Sequence, residues 1–318
     1  MLTLRSISLL TALAAFAPLA GQDGVKLRWK FESGDVLRYR MTTEQLTDLS
    51  SMGGQTMETS TAFVMRELVQ EVAADGTASV EIGYEAMRVT MDMGTLTQFD
   101  STLSGEEAKK NDASLGKLVA PILAGKLHMK VDPSGRISGL TGVKEMLANA
   151  ASSGDAAGKM LERTFSEDAQ RKWLEVNVFP DKALNPGDTW NHDFDVAAPP
   201  SGKMKFAVAN KLESLEDRAG ASCARISAVT KLTLEFDETA AYQMHIVEDE
   251  TKSEGTMWFD PKRGRMVESA QSLRMKMGIG PATEGTAEGE AQMQVSVSTT
   301  TKLLLLSTDA PAFEPKKK

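Results

Sequence analysis

The chain has 318 residues and carries 36 Lys and Arg against 44 Asp and Glu, a formal net charge of -8; an acidic balance of this kind excludes the phosphate-coating chemistry of a nucleic-acid binder. Its one cysteine cannot form an internal disulfide, and a chain of this length buries about three quarters of its unfolded surface without such staples. No stretch after the N-terminal region is apolar for the ~18 residues that a transmembrane helix needs.

Met1 to Ala20 reads as a secretory signal peptide, in which Arg5 precedes an apolar run from Ile7 to Ala20 broken only by Ser8, Thr11 and Pro18. Cleavage falls after Ala20 or Gly21. Gln22 stands where a lipoprotein signal requires cysteine, so the expected product is a soluble exported protein, periplasmic or extracellular. Loss of Arg5 brings its net charge to -9.

From Lys26 the pattern is extended. Leu27, Trp29 and Phe31 alternate with Arg28 and Lys30, and Leu37, Tyr39 and Met41 with Arg38 and Arg40. Period two predicts strands with one buried and one wet face. Met52-Gly53-Gly54 predicts a hairpin turn, with Thr61, Phe63 and Met65 on the returning strand. Val80, Ile82 and Tyr84 hold one parity and Met87, Val89, Met91 and Met93 the other, so a β-bulge is expected at Glu85 or Ala86. Leu115, Leu118, Val119, Ile122 and Leu123 follow helical spacing, interrupted by Pro121. Leu127, Met129 and Val131 make a short strand.

Residues 141–178 read as a helical connector. Val143, Met146, Leu147 and Ala150 form one stripe, Ser152-Ser153-Gly154 breaks it into a candidate mobile segment, and Met160, Leu161 and Phe165 lie beyond. Ser166 is the expected N-cap of a further turn through Trp173 and Leu174. The β pattern then returns with Met204, Phe206 and Val208 after the Ala198-Pro199-Pro200-Ser201-Gly202 turn. In the next strand Ile226, Ala228, Leu232, Leu234 and Phe236 share a face. Cys223 falls on the opposite, polar parity, as an inert thiol or one half of an intermolecular disulfide. Tyr242, Met244 and Ile246, then Met257 and Phe259, then Leu273, Met275, Met277 and Ile279 continue the alternation. Residues 280–290 read as a long hairpin loop before Met293, Val295 and Val297, and residues 308–318 as a disordered tail.

Four marks occur twice in one order. Gly34-Asp35 is echoed by Gly187-Asp188, Gly76 by Gly220, Ile82 by Ile226 six residues beyond each glycine, and Asp132-Pro133-Ser134-Gly135-Arg136 by Asp260-Pro261-Lys262-Arg263-Gly264-Arg265. These marks divide the chain into a first β copy with one amphipathic helix (21–140), the connector (141–178) and a second β copy (179–307). Both motifs are turn chemistry: glycine takes positive φ, aspartate bonds nearby amides and proline presets the reversal. Asn185-Pro186-Gly187-Asp188-Thr189-Trp190 resembles the Asp-box of sialidase-type propellers, yet Ala183 replaces its hydroxyl residue, and only a shared turn is carried over. The layout from Leu27 to about Leu306, with Leu27-Arg28-Trp29-Lys30 before the first Gly-Asp, is similar to an uncharacterised family of exported bacterial proteins classed as a domain of unknown function. That resemblance implies export and a β-rich layout, and no site residue.

Candidate chemistry is sparse. His128, His192 and His245 are far apart in sequence, and no metalloprotease, serine-hydrolase or phosphate-loop motif occurs. The carboxylates at Glu235, Asp237 and Glu238, and at Glu248, Asp249 and Glu250, fit no calcium loop and read as solvated strand faces. Eighteen methionines have three readings: core filling where aromatics are few, a deformable apolar cavity, or Cu(I) ligation helped by His128-Met129 and Met244-His245. Neighbours on a strand point to opposite faces, so neither a metal nor a cofactor is expected. The fold class is α+β and β-dominated: a two-copy antiparallel meander forming a curved sheet or half-open barrel, with helices packed on one face. By fold-level analogy with periplasmic lipoprotein carriers, the expected function is a non-catalytic binder of a hydrophobic ligand, lipid or lipidated partner between sheet and helices. Met91, Met93, Leu115, Leu118, Ile122, Met275 and Met277 are the expected lining. An envelope structural protein with a dry core is the alternative, and an enzyme with a scattered site the second.

Overall fold

The computed structural model describes residues 24–148, 166–175, 177–198, 202–236, 242–281 and 293–314. The expected signal peptide, the segment carrying Met160, Leu161 and Phe165, the expected turn at 199–201 and most of the expected loop at 280–290 lie outside the described residues. Among them, no helix is long and apolar enough to cross a membrane.

Thirteen antiparallel strands form one sheet: β1 (Val36–Asp48), β2 (Thr56–Val72), β3 (Ala78–Asp92), β4 (Leu96–Asp100), β5 (Lys126–Val131), β6 (Ile137–Thr141), β7 (Thr189–Ala198), β8 (Gly202–Arg218), β9 (Ala221–Phe236), β10 (Tyr242–Ile246), β11 (Lys252–Asp260), β12 (Arg265–Pro281) and β13 (Met293–Leu306). The strand order is β6-β5-β3-β2-β1-β13-β12-β11-β9-β8-β7, with β4 added to β3 and β10 to β12. The order β6-β5-β3-β2-β1 recurs as β12-β11-β9-β8-β7, and β13 joins the two halves. Matching turns carry matching hydrogen bonds. Gly34 N–H donates to Val69 O and Val69 N–H to Asp35 O; Gly187 N–H donates to Leu212 O and Leu212 N–H to Asp188 O. The pairing slips by one residue just after Val69 and again just after Leu212. The parity change in β3 is a bulge too: Val64 faces Ala86 while Met65 faces Tyr84, leaving Glu85 as the extra residue.

Helices α1 (Gly105–Ala108), α2 (Ala113–Ala124), α3 (Val143–Ala148) and α4 (Glu167–Leu174) complete the described elements. The Asp112 carboxylate accepts from Ser114 N and Leu115 N at the start of α2, and Ser166 Oγ accepts from Ala169 N at the start of α4. Helix α4 reveals the shape of the sheet. It touches both β6 and β7, the two ends of the strand order. In a flat sheet those ends would stand ten strand spacings apart, about 48 Å, whereas an eight-residue helix spans ~12 Å. The sheet therefore curls until one short helix bridges its edges. Ile137 N–H donates to Glu175 Oε1 at 2.6 Å on the β6 side, and Lys172 Nζ lies 3.3 Å from Asp195 Oδ1 on the β7 side.

The segment 25–32 departs from its expected strand. Only Val25 is bridged, to Leu184; the remainder is an extended strap that keeps its alternation because it packs between clusters. Leu27 is fully buried beside Phe179, Ile226 and Phe259, and Phe31 packs against the first-half core. Both Asp-Pro turns hold it: Trp29 N–H donates to Pro133 O at 2.8 Å and Lys30 N–H to Gly264 O at 3.1 Å. The Trp29 indole donates to Asn177 O and the Trp190 indole to Val178 O. Two further expectations are corrected. Residues 308–314, read as a disordered tail, lie along the outer face, where Arg38 Nη1 donates to the carbonyls of Ser307, Thr308 and Ala310 and the Arg88 guanidinium sits 4.5 Å over Phe313. Cys223 has the outward parity, but the face is covered there: its thiol is buried, 3.9 Å from Arg218 O, and burial pushes its pKa up. A buried, protonated thiol is a poor disulfide partner.

The strap contact gives a paired test. Gly34 and Gly264 both have left-handed φ, +90° and +66°, but a methyl at Gly34 meets nothing within 4 Å, whereas one at Gly264 overlaps Lys30 N. Denaturant unfolding should show Gly34→Ala costing about 1–2 kcal/mol from backbone conformation alone, and Gly264→Ala costing at least about twice that. Equal losses would show that the strap does not bear on this turn.

Candidate functional site

One face of the sheet, defined by register, turns inward across both halves. On β8, β9, β11 and β12 the directly opposed inward residues are Phe206 and Leu232, Asn210 and Ala228, Ala228 and Gly255, then Gly255 and Gln271. Ala228 and Gly255 sit side by side with almost no side-chain volume. The floor is consequently sunken, and a trough of about 310 Å³ opens over it. Two apolar clusters flank this depression. One is Leu212, Ile226, Met257 and Phe259 around the strap, and the other is Phe206, Val208 and Leu232 with Ala169 of α4.

An aromatic wall stands on one side. Phe194 and Phe206, paired across β7 and β8, are stacked at 4.7 Å and 6°. Trp173 of α4 packs edge-on to Phe206 at 4.9 Å and yet remains 44% exposed. Aromatic faces supply large apolar area at small entropic cost. The rest of the floor is polar but neutral, with Asn210, Thr230, Ser253, Ser269, Gln271 and Thr301 among its lining. Its uncharged row extends past the trough, since Gln271 faces Thr301 and Thr301 faces Thr43, their hydroxyls 3.2 Å apart. None of the twenty described residues lining the trough is Asp, Glu, Lys or Arg.

The expected lining residues do not gather here. Met275 packs with Leu273 in the cluster below the aromatic wall, and Met277 shares its inward parity two residues on. Met91 has inward parity on β3, four strands from β12 in the sheet order. Leu115 and Ile122 belong to α2, which packs on β3 and β4. Met93 and Leu118 are exposed, at 56% and 50%, so neither faces an enclosed cavity. Parity picked the inward methionines but could not tell which strands are neighbours. The signal that was missed is a small residue on each of two strands, Ala228 and Gly255, brought opposite by register.

Remaining titratable groups lie elsewhere. His128 is exposed, and the side chain of His245 is outside the described residues. His192 stacks on Phe194 at 5.7 Å, its Nε2 buried without a hydrogen-bond partner, and burial lowers its pKa. No group of three or more His, Cys, Asp and Glu among the described residues could hold a metal. On β2, inward-facing Glu67 lies opposite Leu37 and Ile82, and burial pushes its carboxyl up to about 7. Beside it, burial and the Glu67 charge raise Tyr39 well above its ordinary value, and the Tyr39 hydroxyl donates to Met266 O. Arg265 lies 3.5 Å from Asp35 at the same seam.

Glu67 makes stability depend on pH. Its folded pKa lies above the unfolded value of 4.5, so the folded state binds the extra proton; its contribution is intact below about 4.5 and is lost as pH rises through 7. Glu67→Gln should leave stability at pH 4 unchanged and raise it at pH 8 by about 1–3 kcal/mol, read from denaturant midpoints across pH. A uniform loss at every pH would show that Glu67 is held as a charged partner.

Comparisons with known proteins show the family alone. DynF, from the dynemicin biosynthesis pathway of Micromonospora chersina, aligns at 8% identity and a TM-score of 0.24, covering 91% of this chain and 89% of that one. A Bacteroides fragilis protein with a YMCC-like fold aligns at 12% identity and a TM-score of 0.29, covering 88% of this chain and 97% of that one. No curated protein matches the chain. The model of a family of unknown function, DUF6263, matches residues 75–265, more than half of the chain and reaching from the turn before β3 to the start of β12, and the chain therefore belongs to that family.

Proposed function

We propose that this protein is an exported, non-catalytic binder of a hydrophobic ligand, and that the ligand lies in the trough beneath Trp173. The observation that carries this reading is the open space of about 310 Å³ between an aromatic wall and a sunken floor, where a dry core would be filled to crystal-like density. An apolar depression with a few placed polar groups is the ordinary form of a small-molecule site. The half-exposed Trp173 at its rim is the residue a ligand would cover first. Catalysis has little support there: hydroxyls such as Ser253 are present, but among the described residues no histidine or carboxylate lines the trough to activate one. Export rests on the Arg5 and Ile7–Ala20 pattern of the sequence.

Filling the floor tests the reading. The register sets Ala228 opposite Gly255, so Ala228→Leu places its added carbons in the trough, where overpacking costs little. The variant should keep its unfolding midpoint and lose about tenfold or more of its affinity for decanol, followed by tryptophan fluorescence. Val229→Ala, on the exposed outer face, is the control and should bind as the parent does. Absence of saturable binding by the parent protein to any alkyl probe would favour the structural-protein reading instead.

A further inference from the structure

We infer that the ligand of this trough is an uncharged, hydroxyl-rich amphiphile, a sugar-bearing lipid or a neutral glycan, and not a fatty acid or phospholipid; this rests on the trough being a ligand site at all. The argument begins with charge. One quarter of the residues in this chain are charged, and the other described clefts all carry charged side chains: Lys203, Lys231 and Glu235 in one, Arg88 and Asp100 in another, Glu44 and Asp92 in a third, Arg40 and Lys302 in a fourth. Among the described residues, the trough alone of these has none. A carboxylate or phosphate seated on its floor would give up hydration with no described cation to replace it.

Neutral polar groups are abundant in the same place. The inward row Asn210, Gln271, Thr301 and Thr43, set by register across β8, β12, β13 and β1, is a line of amides and hydroxyls that can each donate and accept. Thr230 and Ser253, directly opposed on β9 and β11, form a second line beside it. At the buried members of these lines, Asn210 and Ser253, a core built only for packing would place aliphatic side chains, as the flanking clusters do. Sugar rings require this combination: an apolar face to lie against an aromatic such as Trp173, and an edge of hydroxyls that both give and take hydrogen bonds. A polar group covered and left unpaired is penalised, so a matched row discriminates against a purely aliphatic ligand.

The test compares head groups at constant chain length. Decyl maltoside, decanoate and decylphosphocholine, each below its micelle concentration, are titrated into the protein with Trp fluorescence and calorimetry as readouts, beside maltotriose without a chain. The expected result is saturable binding of decyl maltoside about tenfold or more tighter than of either charged-head probe. The shape-conserving double variant Thr230→Val, Gln271→Met should erase that preference while retaining the parent's far-ultraviolet spectrum. Maltotriose binding with the same loss in the variant would support the inference with a free glycan as ligand; binding of decyl maltoside alone would support it with a glycolipid. Equal affinity for the three decyl probes, or preference for a charged one, would overturn the inference while leaving the hydrophobic-ligand reading standing. No binding by any of the four would overturn both.

Discussion

The fold depends on the strap at 25–32 being gripped by two copies of one turn. Trp29 and Lys30 are adjacent residues, and each gives its amide to a different Asp-Pro turn, one at the β5–β6 junction and one at the β11–β12 junction. The two halves of the sheet are thereby tied at neighbouring points of a single extended chain. Gly135 and Gly264 let the strap approach this closely: a methyl on Gly135 would stand 2.6 Å from Asn177 O and 2.8 Å from Trp29 Nε1, and one on Gly264 would strike Lys30. Around the junction Trp29, Phe179 and Phe259 pack edge to face or stacked, at ring separations of 4.7 to 6.1 Å. The curl of the sheet and the placement of α4 follow, because Phe179 N–H bonds Ser134 O and so fixes where the chain leaves α4.

The trough is the reverse of this junction. Where the strap runs, inward positions carry Leu212, Ile226, Met257 and Phe259, packed around Leu27. Two residues along the same strands, the inward positions become Asn210, Ala228 and Gly255 and space opens. A single face thus passes from close-packed to open within the rise of two or three strand residues, roughly 7–10 Å. At the seam Tyr39 is buried with its hydroxyl donating to Met266 O, a partnered polar group that the interior tolerates.

Much of this was legible in the residues, for reasons that can be named. The Glu85 bulge shows because an inserted residue inverts strand parity, and Ser166 shows because only a few side chains can cap a helix. Inward faces were read correctly for Ile226, Ala228, Met257 and Met275. The strap was misread because period-two alternation reports an extended backbone packed on one side and does not report whether its amides pair with a strand. Leu118 was placed inward because helical spacing identifies a stripe without its width; α2 presents Val119 to the core and leaves Leu118 exposed. The trough was out of reach. It is formed by residues far apart along the chain, and which strand lies beside which is information that alternation does not contain. Phe313 was missed because a tail rich in proline and lysine resembles unstructured chain, whereas its order comes from arginines of β1 and β3.

Strand β13 joins the two halves of the sheet. It is the last strand made, yet it lies between β1 and β12 and supplies the pairing that joins first half to second, with Tyr39 opposite Leu305 and Met277 opposite Val295. Until it arrives, β1 has one bare edge and so does β12, each a template for the wrong partner. Contacts between the two ends of a chain are the slowest to form and give the fold a high contact order. A chain with this topology completes its sheet only once β13 lies between β1 and β12.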